Sequence, residues 1–136
     1  MIVGIGLDVC SIARMEEALS RYGDRFWKRI LTEREQTLLA ERVERATALA
    51  GRFAAKEAIV KAMSGAPGVG WHDLEVLGGL KEPPVMHVHG PARDLAQKMG
   101  VDHIWVSITH DAGIAAAVVI LEKSGFAPRA NAEGVS

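Results

Sequence analysis

The sequence predicts a single mixed domain of helices and strands, and three observations lead there. Helical periodicity with caps fills most of residues 11 to 64. Short apolar or alternating segments separated by turn residues fill residues 73 to 121. The last two of these segments flank Asp111-Ala112-Gly113, a turn that makes them an antiparallel hairpin. At 136 residues one domain is the economical reading, large enough to bury about two-thirds of its unfolded surface in one core. The chain is 49% hydrophobic and 24% charged, ordinary for a globular protein, and no internal repeat or low-complexity run interrupts it.

Ile2 to Asp8 alternates, with Val3, Ile5 and Leu7 on one side and Gly4, Gly6 and Asp8 on the other. The glycines clear that second face for close approach of a helix or a ligand, and a carboxylate at its end is well placed for a cation. Capping the next helix is the other job open to Asp8, although Ser11 can do it instead. Gly4-Ile-Gly6 has Val9 where a dinucleotide fingerprint needs a third small residue, which discounts that reading.

A helix is expected from Ser11 toward Tyr22, with Ile12, Met15, Ala18 and Leu19 inward and Arg14 and Arg21 outward; Gly23-Asp24 breaks it. Arg25, Phe26, Trp27, Lys28 and Arg29 follow. Between Ser11 and Ile30 five basic residues stand against three acidic ones. These side chains form either a solvated face or a docking surface for an acidic partner, with Phe26 and Trp27 as apolar anchors.

Thr32 and Glu35 form a capping-box pattern, so a helix should start there and run to about Glu44, followed by another from near Arg45 to Ser64. Gly65 suits a left-handed cap and Pro67 seals the stop. The remaining glycines, Gly68 and Gly70, mark either a loop whose backbone approaches a ligand or a flexible connector. Strands are expected at 73–77, 85–89, 103–109 and 114–121, with a short helix at 91–99. Ile104, Val106, Ile108 and His110 share a face, so His110 ends a buried row, as a core histidine or as a phosphate or acid/base contact. The last strand is apolar on both faces and therefore central or covered on both sides. Beyond Lys123 the composition turns to Gly, Ala, Pro, Asn and Ser; residues 1–123 read as the domain and 124–136 as a flexible tail.

A net charge of -1 gives no global attraction to nucleic acid or anionic membrane, so an acidic partner must be met by a local patch. The single cysteine, Cys10, has no disulfide partner within the chain and reads as a small buried residue. The apolar start is too soon broken by Asp8 to be a signal peptide or a membrane span, which makes the cytoplasm the default location.

The segment Arg52 to Lys61 carries four charges, Arg52, Lys56, Glu57 and Lys61, yet presents no polar stripe at 100° per residue. Ala46, Ala50, Ala54, Ala58 and Ala62 form a low ridge that lets another backbone come close. A helix packed on most sides tolerates charges only if they are paired, bound to a metal or facing a charged ligand. An internal Glu57 to Lys61 pair is the plain alternative, worth about 0.2 to 0.5 kcal/mol when exposed.

Three separated segments coincide with one family. Gly4-Ile-Gly-Leu-Asp8 with Arg14, Gly51-Arg-Phe-Ala-Ala-Lys-Glu-Ala58 with Lys61-Ala62, and Ser107-Ile-Thr-His110-Asp111 resemble the bacterial holo-acyl-carrier-protein synthases, the short 4'-phosphopantetheinyl transferases, in order, spacing and length over residues 1 to about 122. The chain departs from the usual pattern at Ile114 and over 78–84, in the wall of the coenzyme pocket. The resemblance implies transfer of phosphopantetheine from coenzyme A to a serine of apo acyl carrier protein, leaving adenosine 3',5'-bisphosphate. It implies an α+β fold, with an antiparallel-rich sheet around the long helix, and a homotrimer whose sites lie between subunits. Its metal ligands map onto Asp8 and Glu57, with Mg2+ as the metal. Lys61 is placed to reach the same phosphates or to assist protonation, and Arg52, Lys56 and His110 are the candidates for holding the coenzyme's phosphates. The serine proton goes to a water at the metal or to one of the carboxylates. Arg14, Arg21, Arg25 and Arg29, with Phe26, are the expected carrier-docking residues.

Two other classes make distinct demands. A nucleotide-dependent oxidoreductase needs the missing third glycine and an acidic residue after a second parallel strand, where this chain reads as helical. A non-catalytic carrier-binding module keeps the basic patch but has no use for Asp8 and Glu57.

Overall fold

A computed structural model describes residues 1–125. Five strands and five helices follow in the order β1 (Ile2–Ser11), α1 (Ile12–Tyr22), α2 (Asp24–Ile30), α3 (Glu33–Leu39), α4 (Arg45–Ala62), β2 (Leu74–Leu77), β3 (Val85–Val88), α5 (Gly90–Lys98), β4 (His103–Asp111) and β5 (Ile114–Glu122). The strands make an antiparallel three-stranded sheet in the order β1-β5-β4 and a separate antiparallel pair, β2-β3. The fold is α+β, as expected. β5, apolar on both faces, is the central strand. Ala112 and Gly113, both in the left-handed region, turn β4 into β5.

α4 lies across the three-stranded sheet, and the glycine face of β1 explains how closely. A Cβ on Gly4 would overlap the Ala62 carbonyl, and one on Gly6 the Ala58 carbonyl. Ala50, Ala54, Ala58 and Ala62 are all buried. The alanine ridge therefore meets a strand stripped of side chains, and Gly6→Ala would force helix and sheet apart. On the other flank a Cβ on Gly51 would press Ile108 of β4 at 3.0 Å. Eleven of the eighteen residues of α4 are buried.

Several expectations need correction. α3 ends at Leu39 rather than near Glu44. After buried Leu39 the segment 40–44 offers only an exposed Ala40 and Val43 and charged residues, so nothing packs a further turn. Trp27 is not an exposed anchor. It lies with Ile30 on the inner side of α2, and Arg45 covers its ring at 4.3 Å. Phe26 is half-buried. His110 does not end a buried row: Ile104, Val106 and Ile108 are half-buried under α4, and His110, one step past them, is exposed. Gly65 and Gly68 have φ of 96° and 80°, so the turn's conformation accounts for both. The expected tail from 126 onward lies outside the described residues, while Ser124 is tied by its N–H and hydroxyl to Asp102.

The opposite face of the large sheet is apolar and open. Ile5, Leu7 and Val9 of β1 are exposed beside Trp105 of β4, with Val118 and Ile120 between them.

Candidate active site

The Gly4-Gly6 face sets the first group of site residues. Asp8 is next on that face, at the edge of α4, and its side chain is 16% exposed. Lys61, from the last turn of α4, donates to Asp8 Oδ1 at 2.7 Å and to the Leu7 carbonyl at 3.1 Å. The internal Glu57 to Lys61 pair does not form, and among the described residues no cation pairs with Glu57. Ser11 caps α1 by accepting from the Arg14 N–H at 3.2 Å, which leaves Asp8 out of capping. Cys10 reports how these charges converge. Burial raises its thiol pKa, Asp8 and Glu57 raise it further, and Arg14 opposes them. Lys61 is bonded to Asp8, Glu57 precedes Lys61 by one turn of α4, and Arg14 lies in the first turn of α1, just past Ser11.

The second group lies across α4. A cavity of about 300 Å³ is lined by Arg42, Thr47, Gly51, Arg52, Gly79, Pro84 and His110, among others. Arg52 is 5% exposed and donates through Nη2 to the Gly78 carbonyl at 2.7 Å. Burial pulls its pKa down, and the Glu35 carboxylate works against that. Arg42 was not anticipated. Read as the interior of a continuous helix it carried no signal, whereas the break after Leu39 turns it into the cavity. A guanidinium pair and an imidazole around one opening can hold a phosphate dianion.

Lys56 belongs to neither group, contrary to expectation. It is fully buried and gives its three N–H bonds to Glu35 Oε1 at 2.6 Å, the Ile30 carbonyl at 2.6 Å and the Trp71 carbonyl at 3.2 Å. Glu35 is equally buried and also accepts from the backbone N–H groups of Thr32 and Val76, each at 2.9 Å. A lysine so satisfied has no donor left for a ligand. The sequence showed Glu35 only as half of a capping box; the same carboxylate is also the internal counter-charge.

Asp8, Glu57 and Lys61 sit on the β1 flank of α4, and Arg52 and His110 on its β4 flank. Arg52 and Glu57 are five residues apart on one helix, about 140° around it. One chain therefore presents two half-sites facing different ways.

Comparison with known proteins identifies the family in which these two groups of residues lie. The profile of the 4'-phosphopantetheinyl transferase superfamily matches residues 4–119. The chain belongs to that superfamily. It is 46% identical over 124 residues to a holo-[acyl-carrier-protein] synthase of Solidesulfovibrio magneticus, covering 90% of this chain and 99% of the relative. It is 43% identical over 128 residues to that of an Anaeromyxobacter strain, covering 92% and 99%. The Helicobacter pylori synthase, solved in complex with coenzyme A, superposes with a TM-score of 0.74 at 31% identity over 87% of this chain and 99% of that one. Both half-sites lie inside the transferase match.

Proposed function

We propose that this chain moves 4'-phosphopantetheine from coenzyme A to a serine of apo acyl carrier protein, with Asp8 and Glu57 as its metal ligands. The serine oxygen bonds to phosphorus, the pyrophosphate linkage breaks, and adenosine 3',5'-bisphosphate leaves. The observation that carries the residue assignment is the glycine face of β1, which brings Asp8 to the flank of α4 where Glu57 and Lys61 stand. Relatives named holo-[acyl-carrier-protein] synthase and one solved with coenzyme A support the reaction.

The donor set fits Mg2+. Among the described residues no three His, Cys, Asp or Glu side chains gather into a cage, and magnesium prefers one or two carboxylates completed by phosphate oxygens and water. Bound there, Mg2+ offsets charge gathering on the pyrophosphate oxygens. Lys61 moves from Asp8 to a phosphate oxygen as donor. Arg52 and His110, joined by Arg42, hold the coenzyme's phosphates.

Arg14, Arg21, Arg25 and Arg29 of α1 and α2 are exposed, and Phe26 is half-buried. Arg14 lies in the first turn of α1, just past the end of β1 that carries Asp8, so a carrier bound on this basic face brings its serine toward the metal side. The two half-sites on opposite flanks of α4, and the open apolar sheet face, support a homotrimer in which one subunit's Asp8 group completes another's Arg52 cavity. Residues 1–123 are the catalytic unit. Among the described residues no helix is long and apolar enough to cross a membrane, and a net charge of -1 leaves an acidic carrier to be met by the local basic face.

The test is to mix the protein with coenzyme A, Mg2+ and apo carrier and to weigh the carrier. A gain of one phosphopantetheine arm, absent without Mg2+, is expected. A carrier that binds but keeps its mass would make the chain a carrier-binding module instead. Light scattering tests the assembly: a fully active monomer would end the shared-site account.

A further inference from the structure

We infer that the buried Glu35–Lys56 pair and the Gly78-Gly79 turn are positioning elements that aim Arg52 into the cavity, so that Glu35 and Lys56, which do not line the cavity, help to set the affinity for the coenzyme. The inference rests on the reading that Arg52 holds a coenzyme phosphate.

The contacts close a circuit. Arg52 is nearly buried, its Nε has no partner among the described residues, and its Nη2 is held by the Gly78 carbonyl. Among the described residues nothing on α4 itself fixes the guanidinium, so its aim depends on where Gly78 sits. Gly78 follows β2, and two residues upstream the Val76 N–H is donated to Glu35 Oε2. The other oxygen of Glu35 accepts from Lys56, which lies one turn beyond Arg52 on α4. The path runs from α4 through Glu35 and β2 to Gly78 and returns to α4 at Arg52. Lys56 is itself pinned to the Ile30 and Trp71 carbonyls, so the carboxylate is held from several elements and cannot shift with one alone.

The turn is fitted to the guanidinium. Gly78 and Gly79 have φ of 74° and 83°, a region that L side chains rarely adopt. A Cβ on Gly79 would stand 3.3 Å from Arg52 Nη2, and one on Gly78 would press the Pro83 carbonyl at 2.7 Å. An arginine fixed before its ligand arrives loses less rotamer freedom on binding, which is how distant packing becomes affinity.

The test is a double-mutant cycle read by calorimetry, using the full chain with coenzyme A and, separately, adenosine 3',5'-bisphosphate. Arg52→Ala should raise the dissociation constant of both ligands about tenfold or more. Gly79→Ala and Lys56→Met should each raise it about fivefold in the native background, have almost no further effect in the Arg52→Ala background, and leave the KM for carrier unchanged. If Arg52→Ala leaves both dissociation constants unaltered, the phosphate reading of Arg52 is lost and the inference with it. If Arg52→Ala weakens binding but the other two variants do not, or if their effects add in full to its own, the positioning role alone is overturned. Should Lys56→Met fail to fold, Gly79→Ala, which leaves the Glu35–Lys56 pair intact, decides the matter by itself.

Discussion

Two lysines of α4 stand five residues apart and do opposite work. Lys56 and Glu35 are both 0% exposed, and every donor of the ammonium has a partner. Lys61 is 54% exposed and Asp8 16%, and Glu57 beside them has no cation partner among the described residues. The lengths of the two ion pairs, 2.6 and 2.7 Å, do not distinguish them. What differs is completeness: a closed shell of bonds holds elements together, whereas an open one leaves charge free for a ligand. Under the proposed function, the contrast separates residues that build the site from those that meet substrate.

The largest effect should come from opening the closed pair. Lys56→Met leaves Glu35 as a buried charge without its counterion, and about 3 to 5 kcal/mol of stability should be lost. Lys61→Met, at a half-exposed pair, should cost less than about 1 kcal/mol while turnover collapses. Urea unfolding of the two variants, with turnover of whatever remains folded, checks this. Equal losses of stability would erase the distinction between the pairs.

The open pair is sharpened by its carboxylates. Asp8→Asn and Glu57→Gln should each lower Mg2+-dependent transfer about a hundredfold, the scale of losing one well-placed electrostatic contact. Melting temperatures should stay near that of the native protein, because the Asp8–Lys61 pair is half-exposed on the lysine side and Glu57 has no cation partner among the described residues. Full turnover at low Mg2+ in either variant would remove the metal assignment.

How much of this was legible in the sequence follows the same contrast. The glycine face of β1 and the alanine ridge of α4 could be read because close backbone approach demands residues without side chains, and Asp8 at the end of that face followed. The chemistry of Lys56 could not. Spacing places it on a crowded helix with three other charges, and only the fold shows that Glu35, 21 residues earlier, is its partner. A capping box explained Glu35 locally, and a local explanation left no reason to look for a distant one. Trp27 misled for a related reason: flanked by Lys28 and Arg29 it looks exposed, but a seven-residue helix buries one side whatever its neighbours in sequence. Arg42 was hidden by a helix boundary, which the single exposed Val43 could have signalled.

A third kind of group, the exposed charges, should show a smaller effect, confined to encounter. Rim charges change association rate and its salt dependence, and a half-buried aromatic changes dissociation. Reversing Arg14 and Arg21 to Glu should raise the KM for carrier and flatten the loss of activity with added salt, with little change in the KM for coenzyme A. Phe26→Ala should weaken the carrier complex at every ionic strength by about 2 kcal/mol. An unchanged carrier KM in the double reversal would move the docking face elsewhere.

The smallest effect belongs to Glu75, which lies between the two extremes. Its carboxylate is 3% exposed, but it is held by Thr32 Oγ1 at 2.6 Å and by the partly exposed Arg34 and His89 at 3.2 and 3.1 Å. Burial works to raise its pKa, yet the hydrogen bonds from Thr32 and His89 and the charge of Arg34 outweigh burial and hold it below the ordinary carboxylate value. A carboxyl group lowered in the folded state contributes stability that is present above its unfolded pKa and lost as pH falls through the folded one, because the unfolded chain then binds the proton more readily. Urea midpoints measured from about pH 5 to pH 3 should therefore fall with acid, and Glu75→Gln, which keeps an acceptor for Thr32 but cannot titrate, should flatten that fall. Two of the Glu75 partners, Arg34 and His89, are open to water, so the change in slope should be modest. An acid limb of the same steepness in Glu75→Gln would mean that the group is not held in the ionised form, and that only the fully closed pair at Lys56 ties charge to the fold.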